Sequence, residues 1–314
     1  MSAIRAAVIG VGYLGNFHAQ KYAAIPGIEL VGVVDKDPAK ASEIASELGT
    51  TPYSNHCDLI GKVDAVSVVV PTQFHYSVAR DFLAAGVHVL IEKPITVTIE
   101  EADELIALAE KNRLVFQVGH LERFNPVLVA LEGVLKQPLF IESVRIAPFK
   151  PRGTDVNVVL DLMIHDIELI QHIVKSPVES IDAIGAPVFT GEEDIANARI
   201  AFENGCVANV TASRISLKSE RKMRIFQRDA YITLDFQNRK VLLAQKGNGE
   251  LFPGIPNVRI DERELGQSDA LLNEIESFIA AIREGKPPQV SGRDGKMALE
   301  TALKINASLN RKPR

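Results

Sequence analysis

Lys93, Asp161 and His165 are the residues of this sequence best placed to do chemistry. Lys93 stands in Glu92-Lys93-Pro94, directly after the apolar run Val87-His88-Val89-Leu90-Ile91. Such a run reads as a strand buried on both faces, and open α/β sheets bind ligands at the carboxyl ends of their strands. A lysine delivered to that edge, before a proline of fixed φ, is placed to act on a bound substrate. The alternative is a surface lysine in a turn, where charged residues are common. Asp161 and His165 lie four apart in Asp161-Leu162-Met163-Ile164-His165-Asp166, so on a helix they share a face and could point together into a cleft between domains. A histidine of near-neutral pKa can take the proton of a hydroxyl as hydride leaves its carbon. A surface ion pair at the same spacing is the alternative. No His-x-x-x-His or equivalent set is present, so no metal is expected.

A second constellation points to a dinucleotide. Gly10-Val11-Gly12-Tyr13-Leu14-Gly15 follows a strand and opens a helix. The first glycine permits the tight turn, the second lets backbone approach a pyrophosphate, and the third allows close helix–strand packing. The helix start at Tyr13 and Leu14 then presents N–H groups and a positive dipole end to phosphate. Asp35 follows Gly15 by twenty residues, at the end of the second strand. Its carboxylate would accept from the adenosine ribose hydroxyls and repel a 2′-phosphate, which favours NAD over NADP; Lys36 beside it weakens that preference. Pro71, Thr72 and His75, after another strand, should line the nicotinamide side with Glu92 and Lys93. For His75 a buried histidine that caps its own helix is the reading placed ahead of direct cofactor contact.

These residues need two kinds of scaffold. In residues 1–120, short apolar runs at 5–9, 29–34, 65–70, 87–91 and 114–118 alternate with helical patterns at 14–24, 39–48, 76–85 and 99–111. That alternation predicts a Rossmann domain with a doubly wound parallel sheet. In residues 121–314 the pattern changes. A helix is expected at 125–135, with Pro126 in its first turn. A strand at 140–147, an amphipathic helix at 158–173, and strands at 180–189, 195–202, 207–215, 221–227, 230–235 and 240–244 follow. Asn204-Gly205 and Asn248-Gly249 mark turns between strands. Helices at 269–283 and 294–309 close an α+β domain with a large, mainly antiparallel open sheet. The fold class is therefore α/β with a second, α+β domain.

Bulk properties narrow the partners. The 314 residues carry a formal charge of -5, which argues against a general nucleic-acid binder. No apolar run is long enough to span a bilayer, and no signal peptide is legible, so a cytoplasmic protein is expected. Cys57 and Cys206 read as reduced packing residues. The basic cluster Arg214, Lys218, Arg221, Lys222, Arg224, Arg228 reads as an exposed sheet face and is given no role.

Taken together, the glycine fingerprint, Val69-Val70-Pro71-Thr72-Gln73-Phe74-His75, Ala85 through Pro94, Asp161 with His165, and Gly292-Arg293-Asp294-Gly295 resemble the Gfo/Idh/MocA family, the glucose–fructose oxidoreductase and inositol dehydrogenase group. The resemblance implies an NAD(P)-dependent enzyme acting on a sugar or cyclitol hydroxyl, and a second domain whose sheet packs subunits into a homo-dimer or homo-tetramer. It maps the family's lysine onto Lys93, its aspartate onto Asp161 and its histidine onto His165. Many members have a glycine two residues before that histidine, where this chain has Met163. Gly119-His120-Leu121-Glu122-Arg123-Phe124-Asn125-Pro126 and Phe149-Lys150-Pro151-Arg152-Gly153-Thr154-Asp155-Val156 look most like the members that oxidise UDP-N-acetylglucosamine at C3 for later transamination, as in lipid A synthesis. An aminotransferase would then act downstream. Arg123, Lys150 and Arg152 could bind a sugar-nucleotide diphosphate and Asn125 a sugar hydroxyl or acetamido group; solvated loop charges are the alternative. A free sugar, inositol or another nucleotide sugar is the second substrate reading. A non-catalytic NAD-binding regulator is the rival from another class.

Overall fold

The computed structural model describes residues 3–131, 133–149 and 156–309. The chain divides into two compact units. The first contains β1 (Ile4–Ile9), α1 (Tyr13–Ala24), β2 (Ile28–Val34), α2 (Pro38–Leu48), β3 (Thr51–Tyr53), β4 (Ala65–Val68), α3 (His75–Ala84), β5 (His88–Glu92), α4 (Ile99–Asn112) and β6 (Phe116–Gly119). All six strands are parallel, in the order β3-β2-β1-β4-β5-β6. This is the doubly wound order, and its switch point lies between β1 and β4. β4 and β6 are buried at every residue, which is why their sequences run apolar without alternation. β3 escaped the sequence reading because it is three residues long and contains Pro52.

Local signals set the helices. Asp37 caps α2 by accepting from the amides of Ala39 and Lys40, and Gly49 ends it in the left-handed conformation. Thr98 and Glu101 form a reciprocal capping box at the start of α4.

The second unit contains α5 (Pro126–Val129), β7 (Pro138–Ile146), α6 (Ile164–Val174), β8 (Val178–Ala186), β9 (Ile195–Phe202), β10 (Val207–Ser213), β11 (Glu220–Gln227), β12 (Ala230–Asp235), β13 (Lys240–Phe252) and β14 (Ile255–Glu264). Its strands form one sheet, ordered β14-β13-β12-β11-β7-β10-β9-β8. Every pairing is antiparallel except β7 with β10. Ala196, Ala198, Ile200 and Phe202 of β9, with Ala208, Val210 and Ala212 of β10, are buried at every second position. The small alanines let α6, buried through Ile167 and Ile170, pack close on this sheet.

Four expectations are corrected. The helix at 125–135 is only the single turn of α5, capped by Asn125. The helix at 158–173 begins as a π-helical turn, Val159–Met163, and becomes α-helical at Ile164. Asn248-Gly249 is not a turn: it lies inside β13, which runs on to Phe252 before β14 returns. β14 is solvent-exposed along nearly its whole length and so carries no apolar alternation to read. Finally, 121–314 is not one contiguous body. α7 (Ala270–Glu284) and the start of α8 (Gly292–Leu309) belong to the first unit, through Asp269–Leu299. Ile275, Phe278, Ile279 and Ala281 of α7 sit in a core with Ile4, Val8, Ala19, Tyr22 and Val33. Val118 donates its amide to Val290, and an added Cβ at Gly292 or Gly295 would meet Phe116 or Val118 at 2.7 Å. Among the described residues no helix is long and apolar enough to cross a membrane.

Candidate active site

In the first unit the residues singled out by sequence gather at one sheet edge. The parallel register sets Ile9 beside Val34 and Val68, Val68 beside Ile91, and Glu92 beside Gly119. The segments that follow, at Gly10, Asp35, Pro71 and Lys93, therefore leave from a common carboxyl edge. Gly10, Gly12, Asp35, Lys36, Lys40, Ser54, His56, Val70, Pro71 and Phe74 line a cavity of about 450 Å³.

The three glycines have separate duties. Gly10 has φ +90°, and a Cβ there would lie 2.6 Å from the Val69 carbonyl oxygen. A Cβ at Gly15 would lie 1.8 Å from the Gly10 oxygen, so α1 reaches β1 only without a side chain there. At Gly12 a Cβ would meet nothing nearer than the Lys40 ammonium at 3.9 Å, leaving the backbone approachable. Gly12 gives α1 no side-chain cap, and the exposed Tyr13 and Leu14 open the helix. Asp35 is built into this loop: Oδ2 accepts from Val11 N at 3.0 Å and Oδ1 from Asp37 N at 3.0 Å. It shapes the glycine turn and also lines the cavity. An open glycine backbone, an uncapped helix start and an adjacent carboxylate suit a dinucleotide: phosphate at the helix start, ribose at Asp35. Lys36 and Phe74, both noted in the sequence, also line the cavity, as do Lys40, Ser54 and His56, which were not.

His75 does not face this cavity. Its ring is buried, with Nδ1 2.8 Å from Pro94 O and Nε2 2.9 Å from Val70 O. Burial outweighs the two carbonyls and lowers its pKa, so the neutral ring donates to one carbonyl at a time. Its role is to tie the Val70-Pro71 turn to the Lys93-Pro94 turn. Thr72 opens a short 3₁₀ turn, Thr72–Phe74, ahead of α3. The half-buried Lys93 follows β5, precedes Pro94 through a cis peptide bond, and donates its amide to Glu92 Oε2 at 3.2 Å. Glu92 turns its other oxygen toward His18 Nε2, 3.3 Å away. Its carboxylate thus contacts the protein through both oxygens.

In the second unit, Asp161 belongs to the π turn and His165 to the first turn of α6, both half-buried. Asn157 starts the turn: its oxygens accept from Asp161 N and Leu160 N, and its amide group donates to Asn306. Interrupted α-helices of this kind are frequent at functional sites. α6 is also held by buried charge. Arg145 binds Asp166 through two bonds of 2.7 and 3.1 Å and Glu122 through a third of 2.9 Å. Burial raises the Glu122 carboxyl, but Arg145, with Arg221 and Asn125, holds it below its ordinary range.

Two proposed substrate ligands are placed differently from expectation. Arg123 is buried and donates to Glu168 of α6 at 2.7 Å, so it is not a solvated loop charge. Asn125 accepts from Val127 N and donates to Glu122 Oε2, the bonds of a helix cap. Lys150 and Arg152 lie outside the described residues. In the basic cluster, Arg214 is buried against Asp194, whereas Lys218, Arg221, Lys222 and Arg224 pair with Glu220, Glu122, Asp235 and Glu142 at the surface.

Comparison with known proteins covers nearly the whole chain. Residues 4–120 match the GFO/IDH/MocA family model, described as "Oxidoreductase family, NAD-binding Rossmann fold", and residues 147–233 match the GFO/IDH/MocA C-terminal domain. The UDP-N-acetylglucosamine 3-dehydrogenase of Acidithiobacillus ferrooxidans is 42% identical over 98% of this chain and 97% of its own. A solved structure of that enzyme matches with a TM-score of 0.92 at 39% identity, covering 98% of each chain. The scyllo-inositol 2-dehydrogenase (NAD(+)) of Bacillus subtilis is 26% identical over 96% of this chain and 92% of its own.

Proposed function

The chain belongs to the GFO/IDH/MocA family of oxidoreductases, and from that premise we propose that it oxidises UDP-N-acetylglucosamine at C3 with NAD, giving the 3-keto sugar. The observation that carries the substrate is whole-length similarity, 42% over 98% of the chain, to an enzyme of that name. The inositol dehydrogenase is far less similar, which ranks a free cyclitol second.

Gly10, Gly12, Gly15 and the start of α1 would hold the pyrophosphate, and Asp35 the adenosine ribose. NAD is favoured because Asp35 repels a 2′-phosphate; Lys36 and Lys40 in the same cavity lessen that penalty without removing it. The bound cofactor supplies the hydride acceptor. The protein supplies the proton acceptor, Lys93 or His165, because a secondary alcohol that surrenders hydride must also surrender its hydroxyl proton. Asp161, one helical step from His165, orients the substrate or the imidazole. Arg123, Asn125, Lys150 and Arg152 remain candidates for the nucleotide-sugar, with Arg123 and Asn125 acting through the segment they brace. The 3-keto product is the carbonyl an aminotransferase requires, consistent with a place in lipid A or cell-surface sugar synthesis in the cytoplasm.

We also assign homo-oligomer formation to the second unit's sheet. The β13–β14 hairpin exposes Leu251, Phe252, Ile255, Val258 and Ile260, an apolar stretch at a sheet edge. Such an edge is covered in a stable assembly.

The test is NADH formation by the purified protein with NAD⁺ and UDP-N-acetylglucosamine, coupled to a transaminase that removes the 3-keto product. Turnover that is lost in Lys93→Ala supports the assignment. Intact NAD binding with turnover only on a free sugar or cyclitol would replace the substrate. Binding without turnover on any of them would favour a regulator.

A further inference from the structure

Behind Lys93 the first unit buries polar side chains that the reading above leaves unused. Glu92 contacts Lys93 N with one oxygen and His18 Nε2 with the other. His18 Nδ1 lies 3.1 Å from Ser67 Oγ, which lies 2.9 Å from the Tyr22 hydroxyl. His18, Ser67 and Tyr22 have no exposed surface. A hydrogen-bonded string therefore runs from the core to the amide of Lys93. Glu274 of α7 meets it from the far end of the sequence: a carboxyl oxygen of Glu274, one of Glu92 and a His18 ring nitrogen lie within 4.8 Å of one another. Glu274 is wholly buried, and among the described residues neither of its carboxyl oxygens has a hydrogen-bond partner. The space is fitted, since an added Cβ at Gly119 would stand 3.0 Å from Glu92 Cδ.

A buried carboxylate without a donor is costly enough that such a group takes up a proton instead. Burial first, and then the charge on Glu92, push the Glu274 carboxyl well above its ordinary range. Glu92 receives the Lys93 amide and faces the His18 ring, whereas Glu274, without a donor among the described residues, keeps its proton. A divalent cation on the same three side chains would need both carboxyls ionised and His18 Nε2 released from Glu92. Among the described residues, His18 and Tyr22 of α1 are the other titratable groups that face Glu274. Tyr22 stays a neutral phenol because burial raises it far above its ordinary range.

We propose that Glu274 is a positioning residue for Lys93: it stays a neutral acid beside the Glu92 carboxylate that receives the Lys93 amide. Only the role given to Lys93 rests on the proposed function; the proton on Glu274 does not.

Glu274→Gln keeps the shape and neutrality of the acid and removes its ionisation. Because the native carboxyl binds its proton more tightly than the unfolded one, wild-type stability falls as pH rises from the ordinary carboxylate range toward the raised value. In thermal melts of the full-length protein between about pH 5 and 9, the variant should gain on the wild type progressively with pH. A constant offset would mean that Glu274 merely fills space, and would overturn the proposal. Carbon-13 NMR of protein labelled at glutamate carboxyls gives an independent reading: one carboxyl should remain protonated at neutral pH and vanish in Glu274→Gln. If that variant does not fold, wild-type protein with no protonated glutamate at neutral pH overturns the proposal alone. In turnover, the ratio of variant to wild-type kcat should rise severalfold from neutral to alkaline pH, with KM for NAD changed less than about twofold. A pH-independent ratio would oppose a link to Lys93. Melts and NMR need no substrate, so a wrong sugar and a wrong proton assignment fail separately.

Discussion

At the residue scale, the assignments differ in how directly each side chain meets the reaction. Lys93→Ala and His165→Ala should each lower kcat, the one that removes the proton by about 10² to 10⁴, with the dissociation constant for NAD nearly unchanged. Near-normal turnover in both would remove the assignment. Asp35 has two duties, because it fixes the glycine loop as well as lining the cavity. Asp35→Ser should therefore weaken NAD binding by about 1.5 to 3 kcal/mol while raising the relative efficiency with NADP, read as the ratio of kcat/KM for the two cofactors. Glu92, Lys93 and the glycines were legible in the sequence because they follow apolar strands at fixed spacings. Glu274 was not. It lies 182 residues beyond Glu92, and its only local mark is a carboxylate four residues before Phe278 on the buried face of α7.

At the element scale, α6 is oriented by buried charges rather than by apolar packing alone. Removing one member leaves its partner buried without compensation. Asp166→Ala should thus cost about 3 to 5 kcal/mol in urea unfolding, and Asp166→Asn less. A second charged clasp holds the 188–190 turn. The Asp194 carboxylate accepts from the amides of Val188, Phe189 and Thr190, from the Thr190 hydroxyl, and from Arg214. Burial opposes its ionisation, but Arg214 and the amides hold it far below the ordinary carboxylate range. Its native pKa is depressed, so its stabilisation is present above the ordinary value and lost as pH falls toward the native one. Asp194→Asn should flatten the acid side of a stability–pH profile without changing its alkaline side. The first unit's parallel strands other than β3 read correctly because burial makes them continuously apolar. β14 and the second half of β13 did not, because an exposed hairpin has no buried face to impose a period. Nor could spacing reveal the π turn, where Asp161 and His165 keep the same four-residue separation they would have in an α-helix.

At the scale of the whole molecule, the sequence marked the change from parallel to antiparallel strands near residue 120 but not the return of 269–299 to the first unit. A terminal amphipathic helix gives no hint of which sheet receives it. A fragment ending at residue 121 lacks Ile275, Phe278 and Ile279 from its core and the Ser291 bridge beside β6. Phe278→Ala alone should cost about 3 to 5 kcal/mol, and the fragment should show no cooperative melt until residues 269–299 are supplied by linkage. A sharp melt from the fragment alone would show that α7 is dispensable. The same return has a consequence for synthesis. The chain emerges from its amino end, so the fingerprint, the sheet and Lys93 are made well before 269–299, the last pieces of their core. The unit that would hold the dinucleotide can close only after residues 122–268 of the other have been synthesised in between. A ribosome-bound chain that stops short of residue 269 should therefore leave that sheet open to solvent or to a chaperone.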